Sequence, residues 1–153
     1  NVWHHGDFAK LTKNGGFLIF GRSDTTLNPG GVRLGTAEIY SVVEKLEEIQ
    51  ESIVIGQSWN NDIRIILFIV LNKGFHLTEE VKVKIKKVIK TKASPRHVPS
   101  KIISISEIPK TKNGKLVELA VKQSIEGVKI KNLEALANPD SLRQFKNIKE
   151  LNE

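Results

Sequence analysis

The sequence has 153 residues and is 39% hydrophobic, which is enough for one ordinary core. It contains no cysteine, so disulfides, thiolate metal sites and cysteine nucleophiles are excluded. Its net charge of +7 suits a polyanionic partner, either a nucleic acid or a phosphorylated small molecule. No apolar run approaches the roughly 18 residues of a membrane helix, and no secretory leader is evident, so we expect a cytoplasmic protein without a membrane partner.

The beginning of the chain predicts a β-hairpin and then a loop. Residues 8–11 and 17–20 have strand-like composition and flank a turn signal at 13–16. In the following loop, Asn28-Pro29-Gly30-Gly31 places proline and glycine at the second and third positions of a type II turn.

A helix and two strands are predicted next. Thr36 is suited to begin a helix whose apolar positions follow the helical period, namely Ile39, Val42, Val43, Leu46 and Ile49. Strands are expected at 52–56 and 63–71. The second is almost entirely apolar, which predicts a central position in the sheet.

The second predicted helix carries much of the positive charge. Thr78 begins it, Glu79 and Glu80 occupy its first turn, and Ser94-Pro95 ends it. Most of its lysines fall on the polar side, which is typical of a solvated face: Lys82, Lys84, Lys86, Lys87, Lys90 and Lys92. Only 6% of the residues are aromatic, so base stacking by this face is disfavoured.

The last third predicts a strand at 101–106, the loop IPKTKNGK at 108–115, and a helix from about Lys115 to Glu126, ended by Gly127. In the tail, Asn138-Pro139 predicts a capped short helix that contains Leu142, Phe145 and Ile148. The expected fold class is α+β, a small three-stranded sheet flanked by helices and preceded by a β-hairpin.

Three stretches occur in a characteristic order: HHGDFA, GRSDTTLNPGGVRLGTAEIY and PKTKNGK. Together they resemble the C-terminal part of the adenylate-forming acyl-CoA synthetases, over nearly the whole chain. LNPGGVRLGTAEIY, RHVPSKI, ELAVKQ and LEALANPD are most similar to the acetoacetate-activating branch of that family. Acetyl- and propionyl-CoA synthetases are the near alternative, because no acyl pocket can be identified in these residues.

The resemblance implies a two-step ligase reaction that uses ATP, coenzyme A and acetoacetate and releases AMP and pyrophosphate. It also implies that Mg²⁺, the main nucleotide pocket and the acyl pocket belong to a large N-terminal adenylation domain, the expected partner of this chain. Accordingly, we expect residues 1–23 to be the last hairpin of that domain, residues 24–127 the mobile C-terminal domain, and residues 128–153 a family-specific tail. No metal ligands and no nucleic-acid partner are expected within the chain.

By resemblance, the catalytic residue is Lys115, which contacts the substrate carboxylate and the α-phosphate during adenylation. Asp7 matches the carboxylate that accepts hydrogen bonds from the ribose, although an aspartate that only caps a turn is the simpler alternative. Arg22 and Arg33 match nucleotide-contacting arginines, whose planar fork suits phosphate oxygens. Asn28 is expected to support the same nucleotide pocket.

Coenzyme A contacts are expected at two other places. Gly30 and Gly31 match small residues beside the path of the pantetheine arm, and Lys90 lies near a basic family position that faces the 3′-phosphate. Lys90 is equally well explained as an ordinary member of the lysine face. Asp24 matches the hinge about which the domain turns, so that Lys115 serves the first step and the glycine pair the second.

Two other classes of function remain open from the sequence. One is a binding or regulatory module with this fold and no catalysis, although the lack of an initial methionine favours a piece of a longer enzyme. The other is a nucleic-acid binder that uses the lysine face, for which binding with a steep salt dependence would be diagnostic.

Overall fold

The structure, a computed structural model, describes residues 7–22, 26–130 and 132–153. Its strands and α-helices are β1 (Asp7–Leu11), β2 (Phe17–Arg22), α1 (Thr36–Val43), β3 (Ile49–Trp59), β4 (Asp62–Leu71), α2 (Glu79–Lys92), β5 (Lys101–Ser104) and α3 (Glu118–Ile125). Short 3-10 helices lie at Pro29–Gly31, Pro95–His97, Leu133–Ala135, Pro139–Phe145 and Lys149–Leu151. None of the helices in these ranges is long and apolar enough to cross a bilayer.

The strands form two sheets. β1 and β2 pair as the antiparallel hairpin that the sequence predicts. In the main sheet the order is β3-β4-β5, with β4 antiparallel to β3 and parallel to β5. The central position of β4 and the α+β class with a small three-stranded sheet are therefore confirmed.

Both faces of the main sheet are covered by buried side chains. Because strand residues alternate between faces, Leu67 and Ile69 pack with α1 and α2, whereas Ile66 and Phe68 pack with α3 and the tail. All four side chains are fully buried. The continuous apolar run of β4 is the sequence signature of this two-sided burial.

The predicted helix around 36–49 is too long. Helix α1 ends at Val43, and Ile49 starts β3, where its partner across the sheet is Leu71. The spacing of Ile49 matches the helical period by coincidence, because Ile49 is a strand residue whose side chain is buried in the core. β3 is also longer than predicted, because a two-residue turn at Asn60 and Asn61, both with positive φ, joins it directly to β4.

Helix α2 has the predicted boundaries. The Thr78 hydroxyl oxygen accepts the N–H of Val81 at 3.3 Å, and the helix ends before Ser94-Pro95. Its lysine face is partly engaged with the protein itself, because Lys84 Nζ lies 2.5 Å from Oε1 of the buried Glu48. The hydrogen bond from Lys84 lowers the pKa of Glu48.

The last core helix begins later than predicted. Gly114 has a φ of +75°, and the backbones of Lys110 and Leu116 form a β-bridge, so α3 starts only at Glu118. Lys115 therefore precedes the helix and does not lie in its first turn. At the other end, Gly127 follows the helix with a φ of +68°, as its predicted role requires.

The tail, residues 132–153, packs against the sheet. Its 3-10 helix Pro139–Phe145 stands where a short helix is predicted, although Ile148 lies beyond it. Phe145 is fully buried and contacts Phe68 edge to face, with the ring centroids 5.0 Å apart. Leu136, Leu142 and Leu151 of the tail are also buried in this cluster.

We expect Phe145→Ala to destabilise the chain by roughly 3–5 kcal/mol, because it removes the edge-to-face contact and leaves a cavity beside β4. Arg143→Ala is the matched control in the same 3-10 helix, since its side chain is 81% exposed. The control should change the free energy of unfolding by less than about 0.5 kcal/mol. Urea unfolding measures both, and equal losses would contradict the burial of the tail.

Candidate functional site

Residues 110–116 form a closed turn, called here the lysine turn. The N–H of Thr111 donates to Lys115 O at 2.9 Å, the N–H of Gly114 donates to Thr111 O at 2.8 Å, and the N–H of Lys115 donates to Thr111 Oγ1 at 3.0 Å. The positive φ of Gly114 permits this closure. Residues 112–115 are exposed, so the turn presents Lys115 at the protein surface.

The tail runs beside the lysine turn and hydrogen-bonds to its backbone. The N–H of Lys112 donates to Ala135 O at 3.0 Å, and the N–H of Ala137 donates to Lys110 O at 2.9 Å. The side-chain Oδ1 of Asn138 accepts the N–H of Lys110 at 2.9 Å. The tail is therefore an additional strand-like support for an otherwise exposed turn.

Both flanks of the lysine turn are also tied to the main sheet. At the start of the turn, Lys110 Nζ lies 2.5 Å from Oε1 of Glu51 in β3. After it, Glu118 Oε1 accepts the hydroxyl of Tyr40 at 2.9 Å, and Tyr40 in turn accepts the N–H of Val54 at 3.0 Å. Burial, followed by the nearby Glu118 carboxylate, raises the pKa of Tyr40 well above its usual value, so the hydroxyl remains a donor.

The second predicted loop folds as a tight turn over 28–32, called here the glycine turn. Gly30 and Gly31 have φ values of +58° and +76°, and the N–H of Val32 donates to Pro29 O at 3.1 Å. This differs from the predicted type II turn over 28–31: the hydrogen-bonded turn is displaced by one residue, so Gly30 and Gly31, both with positive φ, occupy its two central positions. Asn28 and both glycines lie close to the surface.

Asp62, which the sequence reasoning missed, holds the glycine turn in place. Its carboxylate oxygens accept the N–H of Gly30 at 2.8 and 3.1 Å, and Oδ1 also accepts the N–H of Ile63 at 2.7 Å. The hydrogen bond from Gly30, and then that from Ile63, lowers the pKa of Asp62. The only sequence signal was an aspartate directly after the Asn60-Asn61 turn, which does not reveal a partner 32 residues away.

A concave surface lies between the glycine turn and the β3-β4 turn, lined by Asn28, Gly31, Ser58, Trp59, Asn60, Asn61, Asp62 and Ile63. At its edge the guanidinium of Arg64 stacks on Trp59, 3.7 Å from the ring centroid. Arg64 also donates to Leu151 O at 2.6 Å, which connects this end of the sheet to the tail.

The two turns are anchored at opposite ends of β3. The lysine turn is tied to Glu51 near the start of the strand, and the glycine turn is tied to Asp62, the cross-strand partner of Trp59 at its end. Eight strand steps separate Glu51 from Trp59, or about 26 Å at about 3.3 Å per residue.

The remaining predicted site residues are distributed over other elements. Asp7 and Arg22 are direct partners across the β1-β2 hairpin. Arg33 is exposed just after the glycine turn, and Lys90 is exposed on α2. The predicted hinge, Asp24, lies outside the described residues. Within the described ranges, no group of three or more histidine and carboxylate side chains is arranged to hold a metal ion.

Residues 38–115 match the family described as "AMP-binding enzyme C-terminal domain". The chain belongs to this family. The matched range covers the whole main sheet and ends at Lys115, so it includes the lysine turn up to its lysine, whereas the glycine turn at 28–32 precedes it.

Individual relatives of this family agree over nearly the whole chain. The acetoacetyl-coenzyme A synthetase of Rhizobium meliloti (strain 1021) is 56% identical over 99% of this chain, and the acetoacetyl-CoA synthetase of Xenopus tropicalis is 44% identical over 98%. The solved acetoacetyl-CoA synthetase from Streptomyces lividans superimposes on 99% of the chain with a TM-score of 0.86 and 38% identity. The chain spans 23% of the length of each of these proteins, so it corresponds to about a quarter of such an enzyme.

The Asp62 anchor predicts a pH-dependent signal at the glycine turn. On acidification, the amide resonances of Gly30 and Ile63 should shift together, with a midpoint below the ordinary aspartate pKa of about 3.9. Because the folded pKa is the lower one, the stabilisation is complete above the unfolded pKa and is lost as the pH falls through the folded pKa. Two-dimensional NMR measures this titration.

Asp62→Asn is the control for this titration. The amide side chain keeps an acceptor for Gly30 but has no carboxyl group, so the shared titration of the two amides should disappear. A Gly30 amide that titrates at the ordinary aspartate value, or that titrates unchanged in Asp62→Asn, would contradict the anchor.

Proposed function

We propose that this chain acts as the mobile C-terminal part of an ATP-dependent ligase that joins acetoacetate to coenzyme A. The observation that carries the proposal is the agreement over 98–99% of the chain with proteins named acetoacetyl-CoA synthetase. In the first step a carboxylate oxygen of acetoacetate attacks the α-phosphorus of ATP, and the bond to pyrophosphate breaks. In the second step the sulfur of coenzyme A attacks the acyl carbon, its proton is lost to solvent, and AMP leaves.

In this proposal Lys115 is the catalytic residue of the first step. Negative charge builds on the phosphorus oxygens as the carboxylate attacks, and a fixed ammonium group stabilises that charge. The exposed lysine turn supports the role, because its backbone is closed by hydrogen bonds while Lys115 remains at the surface. At an effective dielectric near 20, a unit charge about 4 Å away contributes about 4 kcal/mol, or on the order of a thousandfold in rate.

The glycine turn serves the second step. Gly30 and Gly31 carry no side chain beyond the backbone, which leaves room for the pantetheine arm beside the concave surface that Gly31 lines. Asn28 supports the nucleotide pocket. Asp7, Arg22 and Arg33 contact the nucleotide, and Lys90 contributes to binding the 3′-phosphate of coenzyme A. Since the two turns are anchored at opposite ends of β3, the domain turns about Asp24 between the steps.

The remaining parts of the reaction lie with a large N-terminal adenylation domain. Residues 1–23 complete that domain as its last hairpin, residues 24–127 form the mobile domain, and residues 128–153 form the tail. Mg²⁺ and the acyl pocket also belong to the N-terminal domain in this proposal. The proposed location of the enzyme is the cytoplasm.

Lys115→Ala in the full-length enzyme tests the catalytic assignment. We expect adenylation, measured as pyrophosphate exchange, to fall by roughly two to four orders of magnitude, because one preorganised charge is lost. Thioester formation from preformed acetoacetyl-adenylate and coenzyme A should continue at near the parental rate. Lys112→Ala is the matched control, since it removes another exposed lysine from the same turn and should leave both steps unchanged.

An equal loss in both half-reactions would mean that Lys115 supports the fold or the shared nucleotide site, and the proposed division of labour would be wrong. The acyl substrate is tested separately by comparing kcat/KM for acetoacetate, acetate and propionate in the full-length enzyme. A preference for acetate or propionate would overturn the acetoacetate assignment and keep the ligase assignment.

The hinge is tested by Asp24→Pro in the full-length enzyme. Proline fixes φ near −65°, so the domain is expected to keep the conformation for adenylation and to lose the turn needed for the second step. Pyrophosphate exchange should therefore persist while thioester formation from preformed adenylate is lost. The hinge assignment fails if this variant forms thioester at the parental rate.

A further inference from the structure

The side chain of Asn138 makes three hydrogen bonds between the tail and residues 107–110, the segment that leads into the lysine turn. Its Oδ1 accepts the N–H of Lys110 at 2.9 Å. Its Nδ2 donates to Glu107 Oε2 at 2.8 Å and to Ile108 O at 3.0 Å. One amide group thereby ties together three residues of this segment that are 28 to 31 positions earlier in the chain.

This use of Asn138 differs from the local role that its sequence position predicts. Asparagine before Pro139 predicts a helix cap, but the side chain makes no capping hydrogen bond. Instead, the backbone carbonyl of Asn138 accepts the N–H and the hydroxyl of Ser141, at 3.1 and 2.6 Å. The amide group is directed to Lys110 and its neighbours.

The lysine turn needs support of this kind. Residues 112–115 are exposed, so packing does not fix the place of Lys115, and the backbone hydrogen bonds must do so. Lys110 makes several of these supporting contacts. Its backbone forms a β-bridge with Leu116 across the turn, its carbonyl accepts the N–H of Ala137, and its ammonium group forms an ion pair with Glu51. Asn138 completes the hydrogen bonding of Lys110 by accepting its N–H.

We infer that Asn138 is a positioning residue for Lys115, which it influences through Lys110. The inference rests on the proposed role of Lys115 in adenylation. A charged group that must meet a carboxylate and a phosphate loses on the order of a hundredfold in rate for a displacement of about 1 Å. The tail thus contributes to the first half-reaction through the lysine turn.

The test uses Asn138→Ala in the full-length enzyme and measures the two half-reactions separately. Adenylation should fall by roughly tenfold to a hundredfold, because the N–H of Lys110 loses its acceptor and the turn shifts. Thioester formation from preformed acetoacetyl-adenylate should stay near the parental rate. Gln144→Ala is the matched control: Gln144 also ties the tail to Ser106 and Glu107, but not to the lysine turn, so it should lower stability without slowing adenylation.

A double-mutant cycle shows whether Asn138 acts through Lys115. In the Lys115→Ala background, Asn138→Ala should cause no further loss of adenylation. If it slows adenylation as much there as in the parental enzyme, or if Asn138→Ala alone leaves adenylation unchanged, the inference is wrong while the role of Lys115 stands. If Lys115→Ala itself leaves adenylation unchanged, both the inference and the proposed function are overturned.

A second substitution that compensates for the first distinguishes a positioning role of Asn138 from a loss of overall stability. Asn138→Asp keeps an acceptor for Lys110 but places its carboxylate against that of Glu107, so adenylation should fall. Adding Glu107→Gln restores a donor between these two side chains but not the donor to Ile108 O, so adenylation should recover part of the loss. Failure of the pair to recover, in an enzyme whose thioester step is intact, would overturn the inference.

Discussion

The burial of both faces of β4 is the constraint on which the rest of the domain depends. Leu67 and Ile69 face one layer while Ile66 and Phe68 face the other, so a three-stranded sheet needs a cover on each side. Helices α1 and α2 cover the first face. On the second face α3 has only eight residues, and the tail supplies the remaining apolar side chains. Each large side chain buried there contributes about 1.5–3 kcal/mol, so the tail is an integral layer of the fold.

The tail crosses this face of the sheet and makes hydrogen bonds near both of its ends. At one end the tail passes beside the lysine turn, where Ala135 and Ala137 hydrogen-bond to its backbone. At the other end, Leu151 O accepts hydrogen bonds from Arg64 and Gln57, close to the β3-β4 turn. A single segment that is required for burial thus also supports the exposed turn that carries Lys115.

Local signals in the sequence predict the frame of this fold, and long-range contacts account for what they miss. The boundaries of α2 follow from Thr78 and Ser94-Pro95, whose effects act within one helical turn, and the central place of β4 follows from its apolar run. Helix periodicity failed at Ile49, because a buried strand residue satisfied the same spacing. Asp62 and Asn138 were missed as partners of the two turns, since short polar side chains beside a turn or a proline predict local caps, whereas their partners are 32 and 28 residues away.

The residues that stabilise the two turns differ from those that are proposed to take part in the chemistry. The contacts that hold the turns in shape come from Asp62, Asn138, Glu51 and the backbone, all within the described part of this domain. The lysine turn exposes Lys115 and the glycine turn exposes Gly30 and Gly31, and none of these three residues is part of the core. A domain built in this way keeps the shape of both turns whichever one faces the active site. In the proposed mechanism, alternation between the two half-reactions therefore requires a change of torsion at the proposed hinge, without repacking the sheet or the tail.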